Sequence, residues 1–305
     1  MLGGLRWRSG RLGAPTSVWR LAMADVAVFG TAVADVVLRV AALPRPGEQI
    51  RAEPLGWRLG GSSANIACGL AAAGHDVELI GPVGTDSMAD ELLAELERRG
   101  VHTRGCIRMS GASARALILI DAKGERTILI LGGDPWPEPL PLRDLRHASG
   151  VACVYVENYG LFPTTIADRF PEALLVATPP APGRSTWPAD IIVGSERQFQ
   201  ANGLMGPYES ARAVAGGRLK VVVVTRGARG ADAYRPHGCY HVATSTARQV
   251  DATGAGDAFA AGLIAALLAE HGIQDAMERA TAQGAAAVEV LQSIPPDWVE
   301  SIDRA

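Results

Sequence analysis

The sequence has few cysteines and no long apolar run. Only four cysteines, Cys68, Cys106, Cys153 and Cys239, occur in 305 residues, and no two of them form a C-x-x-C pair. This scatter argues against a zinc motif or a disulfide framework, so we expect reduced, mostly buried thiols. No apolar run approaches the roughly 20 residues that span a bilayer, and no signal peptide is evident. We therefore predict a cytoplasmic protein with no membrane partner.

A concentration of charge of one sign is also missing from the body of the chain. The formal net charge is -3, from 29 basic and 32 acidic residues. This balance argues against nucleic acid as a partner and favours small molecules. The first 22 residues differ, because they contain four arginines and no acidic residue. We expect 1–22 to lie outside the fold, either as an extension upstream of a start at Met23 or as an organelle transit leader.

The chain alternates short β-branched runs with Ala- and Leu-rich runs. The predicted strands are Val26–Phe29, Val77–Gly81, Val151–Val156, Leu174–Ala177, Ile191–Val193 and Val221–Thr225. The predicted helices are Ser63–Ala73, Met88–Arg99, Thr164–Phe170, Glu209–Gly216, Gly256–His271 and Ile273–Leu291. The alternation predicts an α/β fold of three layers, αβα, with a mostly parallel central sheet. Length alone leaves one large domain or two smaller ones open.

Two stretches, 35–58 and 107–131, interrupt this alternation. In the second, Arg115–Ile120 and Arg126–Leu131 flank the turn sequence Asp-Ala-Lys-Gly at 121–124. Two β-rich runs around such a turn predict a hairpin.

The segment 251–259, DATGAGDAF, combines backbone freedom, a carboxylate and the start of a helix-forming run. Gly254 and Gly256 allow the N–H groups of residues 254–256, including Ala255, to turn toward one point. The positive end of the following helix would face the same point. The pattern predicts a phosphate site, with Asp257 as the base for an attacking hydroxyl. The alternative is a glycine-rich loop in which Asp257 only caps the helix.

This segment resembles the C-terminal signature of the ribokinase-like, or PfkB, carbohydrate kinases. LGGSSANIA at 59–67, followed by a small-residue helix, resembles the N-terminal signature of the same family. The resemblance implies a single kinase domain over 23–305 that uses ATP and Mg²⁺. It also implies a small β-sheet lid, formed from about 36–58 and 107–131, that covers the sugar site and builds a homodimer.

The same resemblance implies an acceptor site of polar groups that can bind paired hydroxyls. Asp35 matches the position of a sugar-binding aspartate after the opening strand. Gly60 and Gly61 would let the substrate approach the backbone, and Asn65 could reach a hydroxyl. Glu157, at the end of an apolar strand, could contact the substrate or face solvent. Asp35 and Asn65 have plain alternatives as a turn former and a helix-start residue.

The nucleotide site is predicted from a buried strand that runs into a glycine-rich turn at 221–231. This segment resembles the part of the family that lines the ATP phosphates and ribose, and Thr225, Gly227 and Gly230 are the candidates. A tight turn with no ligand is the alternative. Small side chains around Ala286 would leave a slot for the adenine.

The chain departs from the family pattern in several places. Ser195-Glu196-Arg197-Gln198 stands where many members carry N-x-x-E near the magnesium ion, which predicts altered metal dependence. Val33 replaces a residue that is often polar, which weakens the case for ribose. Asp251 and Thr253 match positions that often surround a monovalent cation such as K⁺, but the stretch 290–294 is shorter than usual.

We therefore predict in-line phosphoryl transfer from Mg-ATP to a primary hydroxyl of a small sugar or a nucleoside. A nucleoside would need a platform for its base, and Trp57, Trp136, Tyr159 and Phe162 are available. A non-catalytic protein of this fold that senses sugar or nucleotide is the alternative from a different class.

Overall fold

The computed structural model describes residues 25–132, 150–157, 163–184, 186–204, 206–244 and 253–289. Its strands are β1 Val26–Phe29, β2 Val33–Val40, β3 Ala52–Gly60, β4 Val77–Val83, β5 Val101–Arg108, β6 Arg115–Ile120, β7 Arg126–Leu131, β8 Cys153–Val156, β9 Leu174–Ala177, β10 Ile191–Ser195, β11 Val221–Thr225, β12 Ala231–Arg235 and β13 Gly238–Val242. Its helices are α1 Ser62–Ala72, α2 Ser87–Arg98, α3 Pro163–Arg169, α4 Glu196–Ala201, α5 Pro207–Ala215, α6 Ala255–Leu268 and α7 Ile273–Ala287. The predicted leader and Met23 lie outside the described residues.

Within the described ranges, nine strands form the central sheet, in the order β13-β12-β11-β10-β9-β8-β1-β4-β5. The seven strands from β11 to β5 are parallel, and β12 and β13 are antiparallel additions at one edge. In a parallel sheet the carboxyl ends of neighbouring strands lie at one edge, where ligand sites of α/β proteins gather.

Helices cover both faces of this sheet. Along β1, Val26 and Val28 belong to a core cluster with apolar residues of α1, α2, α6 and α7. Ala27 and Phe29 belong to a second cluster with residues of α3, α4 and α5. Because successive strand residues point to opposite faces, strands that are apolar at every position bury both. The predicted three-layer αβα fold is confirmed.

A separate four-stranded sheet has the order β3-β2-β6-β7 and a small core around Val37, Ala116 and Ile118. We call this sheet the lid. Its hairpin, β6 and β7, has the predicted bounds. The link from β5 to β6 is anchored at Asp86, whose carboxylate caps α2 and accepts hydrogen bonds from Ser113 and Arg115. This cluster joins the lid to the body.

Some predicted boundaries change. Helix α6 ends at Leu268 rather than at His271, because Glu270 adopts a left-handed φ of 63° and the N–H of His271 turns back to Ala266. Asp35 comes after the opening strand β1, as predicted, and it lies within β2, so its alternative as a turn former is wrong.

The four cysteines all lie within the described residues and differ in their exposure. Cys68 and Cys153 are buried, Cys106 is half-buried, Cys239 is exposed, and all four are free thiols. Burial raises the pKa of the Cys68 thiol to about 12. Within the described ranges, no helix has the length and apolarity needed to cross a membrane.

Candidate active site

The first turns of α1 and α6 meet on one side of the central sheet, and Asp257 lies at their junction. Asp257 is the third residue of α6. Its Oδ1 accepts a hydrogen bond from the hydroxyl of Ser62, and its Oδ2 accepts one from Asn65 Nδ2 at 2.7 Å. Burial raises the pKa of Asp257 to about 6, the hydrogen bonds from Ser62 and Asn65 act to lower it, and Asp35 raises it further. Asp257 is therefore a fixed carboxylate with a pKa near the range a general base needs.

The start of α6 has the features of an anion site. Gly254 precedes the helix in a left-handed conformation with a φ of 80°, which favours glycine. The first N–H groups of a helix have no partner within it, and they carry the positive end of its dipole. Ala255 is half-exposed and Gly256 is exposed, so this end is open to a ligand. A phosphate bound there would lie beside Asp257.

Glu157 lies immediately after β8 and is buried against the start of α1. Its Oε2 accepts hydrogen bonds from both the hydroxyl and the N–H of Ser63. Burial raises the pKa of Glu157 to about 7; the Ser63 hydroxyl lowers it and the nearby Asp257 raises it. Of the two alternatives for Glu157, the solvent-facing one is therefore wrong.

Asp35 is buried in β2, opposite Arg58 of β3. Burial raises the pKa of Asp35, and the Arg58 guanidinium, 3.8 Å away, lowers it. Gly60 makes room for this carboxylate, because a Cβ on Gly60 would lie 2.3 Å from the Asp35 carboxyl carbon. Gly61, with a φ of 89°, sets the turn into α1. Gly60 and Gly61 therefore have structural roles beside Asp35, in addition to the predicted role of letting a substrate approach the backbone.

The predicted nucleotide side lies at the carboxyl ends of β10 and β11. Thr225 ends β11, and a short 3-10 turn at Gly227–Arg229 leads to Gly230 and the antiparallel β12. Gly230 must be small, since a Cβ there would lie 1.9 Å from the backbone oxygen of Val242. The segment does connect two strands tightly, and the nucleotide contacts of Thr225, Gly227 and Gly230 remain predictions.

The residues that replace N-x-x-E have structural partners. Ser195 and Gln198 form a capping box at the start of α4, with Ser195 N–H donating to Gln198 Oε1 at 2.7 Å. Glu196 forms ion pairs with Arg226 through one oxygen and Arg229 through the other. The negative charge of the Glu196 carboxylate is therefore balanced by two arginines in this structure.

Helix α7 passes the start of α6. A Cβ on Gly284 would lie 3.1 Å from the backbone oxygen of Ala255, and Ala286, one half-turn further on, is half-buried. This places Ala286 on the helix that flanks the start of α6, and its contact with adenine remains a prediction. Thr253 is described, whereas Asp251 and 290–294 lie outside the described residues, so the K⁺ site also stays a prediction.

The structure brings together the predicted residues Asp35, Asn65, Glu157 and Asp257. Sequence reasoning missed Ser62 and Ser63, whose hydroxyls hold two of these carboxylates. Their signal was present in the polar pair that directly follows the glycines of LGGSSAN.

Comparison with known proteins identifies the class. The model of the pfkB family carbohydrate kinase matches residues 23–153 and 189–299, which is most of the chain. The chain belongs to this family, and it is a phosphotransferase that uses ATP.

Three individual proteins show how close the likeness is. The ATP-dependent ribose-1-phosphate kinase of Halopiger xanaduensis is 32% identical over 82% of this chain and 87% of its own length. The ribokinase of Thermotoga maritima superposes with a TM-score of 0.78 at 26% identity, over 93% of this chain and all of that one. Arabidopsis thaliana ribokinase, solved with ribose and ATP, has a TM-score of 0.74 at 22% identity, over 92% of this chain and 98% of its own, which shows the shared fold.

Proposed function

We propose that this protein transfers the γ-phosphate of ATP to a hydroxyl, most simply a primary hydroxyl, of a small sugar or sugar-like acceptor. The observation that carries the proposal is the junction of α1 and α6. There a carboxylate held by two donors, Asp257, stands beside an open helix N-terminus that can bind phosphate. A base and an anion site side by side are what transfer to a hydroxyl requires.

In this reaction Asp257 accepts the proton of the acceptor hydroxyl while that oxygen bonds to the γ-phosphorus. The bond from the γ-phosphorus to the bridging oxygen of ADP breaks in the same in-line displacement. The N–H groups of Gly254, Ala255 and Gly256 stabilise the charge on the transferred group. Asp35, Asn65 and Glu157 bind the other hydroxyls of the acceptor. Asn65 Oδ1 is buried and has no hydrogen-bond partner among the described residues, so it suits a hydroxyl donor.

Magnesium fits this site as a companion of the nucleotide. The described residues contain no cluster of three or more His, Cys, Asp or Glu side chains that could hold a metal. Mg²⁺ in such enzymes is usually bound by substrate phosphates, waters and one or two protein groups. Ser195 and Gln198 could hold its water, and the bound ion would neutralise phosphate charge. Because Glu196 is paired with Arg226 and Arg229, we expect weaker metal binding by the protein itself.

The acceptor is tested by ATP consumption with a panel of ribose, ribose 1-phosphate, other pentoses and hexoses, and nucleosides. We expect ATP turnover that depends on an added sugar or sugar phosphate. Turnover with nucleosides but with no sugar would show that the acceptor is a nucleoside and not a sugar. Binding without turnover across the panel would favour the sensing function and overturn the proposal.

The base is tested by Asp257→Asn, with Asp275→Asn as its matched control. Asp275 is exposed, and it is the third residue of α7 as Asp257 is of α6. We expect Asp257→Asn to lower kcat by about 100-fold or more while ATP binding, measured by calorimetry, persists. Asp275→Asn should keep wild-type kcat. Near-normal turnover by Asp257→Asn would remove Asp257 from the role of base.

We also propose that the lid forms a homodimer. Among the described residues, strand β7 pairs only with β6, and four successive apolar residues, 128–131, are 43–72% exposed. Because successive residues face opposite sides, the outer strand is apolar on both sides, which is typical of a surface that another chain covers. Light scattering should give the mass of two chains for the wild type and of one for Ile130→Glu. A wild type that stays a single chain at micromolar concentration would contradict the dimer.

A further inference from the structure

Ser62 has a task in the proposed reaction that its sequence position does not reveal. Building on the proposed function, we propose that Ser62 is a positioning residue, whose hydroxyl fixes the orientation of the Asp257 carboxylate and favours its anionic form. Ser62 donates to Oδ1 of Asp257, and Asn65 donates to Oδ2. Each oxygen of the base is therefore held by a different donor from the first turn of α1.

The Ser62 hydroxyl is not needed by its own helix. The N-cap residue of α1 is Gly61, which has no side chain to cap the helix. The neighbouring Ser63 directs its hydroxyl to Glu157 instead. Ser62 thus donates to the Asp257 carboxylate, and Ser63 donates to the Glu157 carboxylate. Helix α2 offers a contrast, because its first residue, Ser87, is exposed and its cap is supplied by Asp86.

Asp257 needs such a donor because its other surroundings oppose ionisation. Removal from water favours the neutral acid, and the ionisable groups that face it, Asp35 from β2 and Glu157 after β8, are also acidic. The basic residue Arg58 forms its ion pair with Asp35, at 3.8 Å. Ser62 and Asn65 are the two side chains whose hydrogen bonds favour the charged form of Asp257. Each carboxylate oxygen has two lone pairs, so Asp257 can hold both donors and still accept a proton.

The test compares Ser62→Ala with Ser87→Ala, which makes the same change at the first residue of another helix. A hydrogen bond to a charged group is typically worth about tenfold to a hundredfold in an equilibrium, so we expect a loss of that size in kcat for Ser62→Ala. The acid limb of its pH profile should move to higher pH. Ser62→Thr, which keeps the hydroxyl, should recover most of the rate, and Ser87→Ala should match the wild type in both readouts.

Two further measurements separate positioning from general damage. In an Asp257→Asn background, adding Ser62→Ala should cause little further loss, since the group it positions is gone. The carbon-13 titration of the Asp257 carboxyl, assigned by its absence in Asp257→Asn, needs no turnover and should move to higher pH in Ser62→Ala.

Two results would overturn the role of Ser62 even if the kinase activity stands. One is an Asp257 carboxyl titration and a pH profile that Ser62→Ala leaves unchanged. The other is an equal loss of kcat when Ser62→Ala is added to the wild type and to Asp257→Asn. A wild type that phosphorylates no acceptor would overturn the proposed function, while the titration would still decide whether Ser62 holds Asp257. If Ser62→Ala fails to fold, Ser62→Thr and Ser62→Val, which are similar in shape, give the same comparison with and without the hydroxyl.

Discussion

Replacing the buried Glu157 by glutamine should stabilise the protein, and more so as the pH rises. The pKa of Glu157 is raised from 4.5 to about 7 by burial. A carboxyl whose pKa is higher in the folded state destabilises that state once the pH exceeds its unfolded value, and the cost is complete above its folded value. The full difference corresponds to about 3 kcal/mol, at about 1.4 kcal/mol for each pKa unit. Glutamine avoids this cost and can still accept the hydrogen bonds from Ser63.

The assay is urea unfolding of wild type and Glu157→Gln at pH 5 and pH 8. At pH 5 the folded carboxyl is mostly protonated, so the two free energies of unfolding should differ by about 1 kcal/mol or less. At pH 8 the variant should be more stable by about 2 to 3 kcal/mol. Glu91→Gln, on the exposed face of α2, serves as the control and should show no such change. A pH-independent difference, or a less stable variant at pH 8, would show that ionisation of the buried Glu157 carboxyl does not destabilise the fold.

Two other changes test the surroundings of the site. Gly60→Ala should raise the KM for the acceptor at least tenfold, because the new methyl would displace the Asp35 carboxylate. Gly217→Ala, whose new methyl meets open space, should leave this KM unchanged. A wild-type KM in Gly60→Ala would contradict the contact between Asp35 and the acceptor. Asp86→Ala should cost about 1 kcal/mol at pH 7 through the lost cap of α2. The pKa of Asp86 is lowered chiefly by the Ser113 hydroxyl, so its contribution is present at neutral pH and is lost as the pH falls through the folded pKa. Thermal unfolding should show the difference from wild type narrowing in acid, and a constant difference would argue against the ionised network.

Most of the fold could be predicted from local patterns. Strands such as Leu174–Ala177 and Val221–Thr225 have the predicted bounds, because each is a short apolar run bounded by turn residues, which is typical of a strand buried on both faces. Strand β2 was expected only through the lid that the resemblance implies; its bounds could not be read locally, since it carries the charged residues Asp35 and Arg39 among its apolar positions. Asp35 is acceptable there because Gly60 leaves space for it and Arg58 lies opposite, and neither fact is visible from the strand alone.

Consecutive residues were enough to predict the glycine-rich start of α6, the acidic residue in its first turn and the likeness to carbohydrate kinases, because each of these is a local pattern. The contacts of Asp257, by contrast, come from distant parts of the chain. Ser62 and Asn65 lie 195 and 192 positions away along the chain, and they reach Asp257 because α1 and α6 pack on the same face of the sheet with their first turns together. The same packing buries Glu157 against Ser63, and burial is what raises the pKa of both carboxyls. Contacts and pKa values of this kind depend on which elements become neighbours, and a linear sequence does not state that.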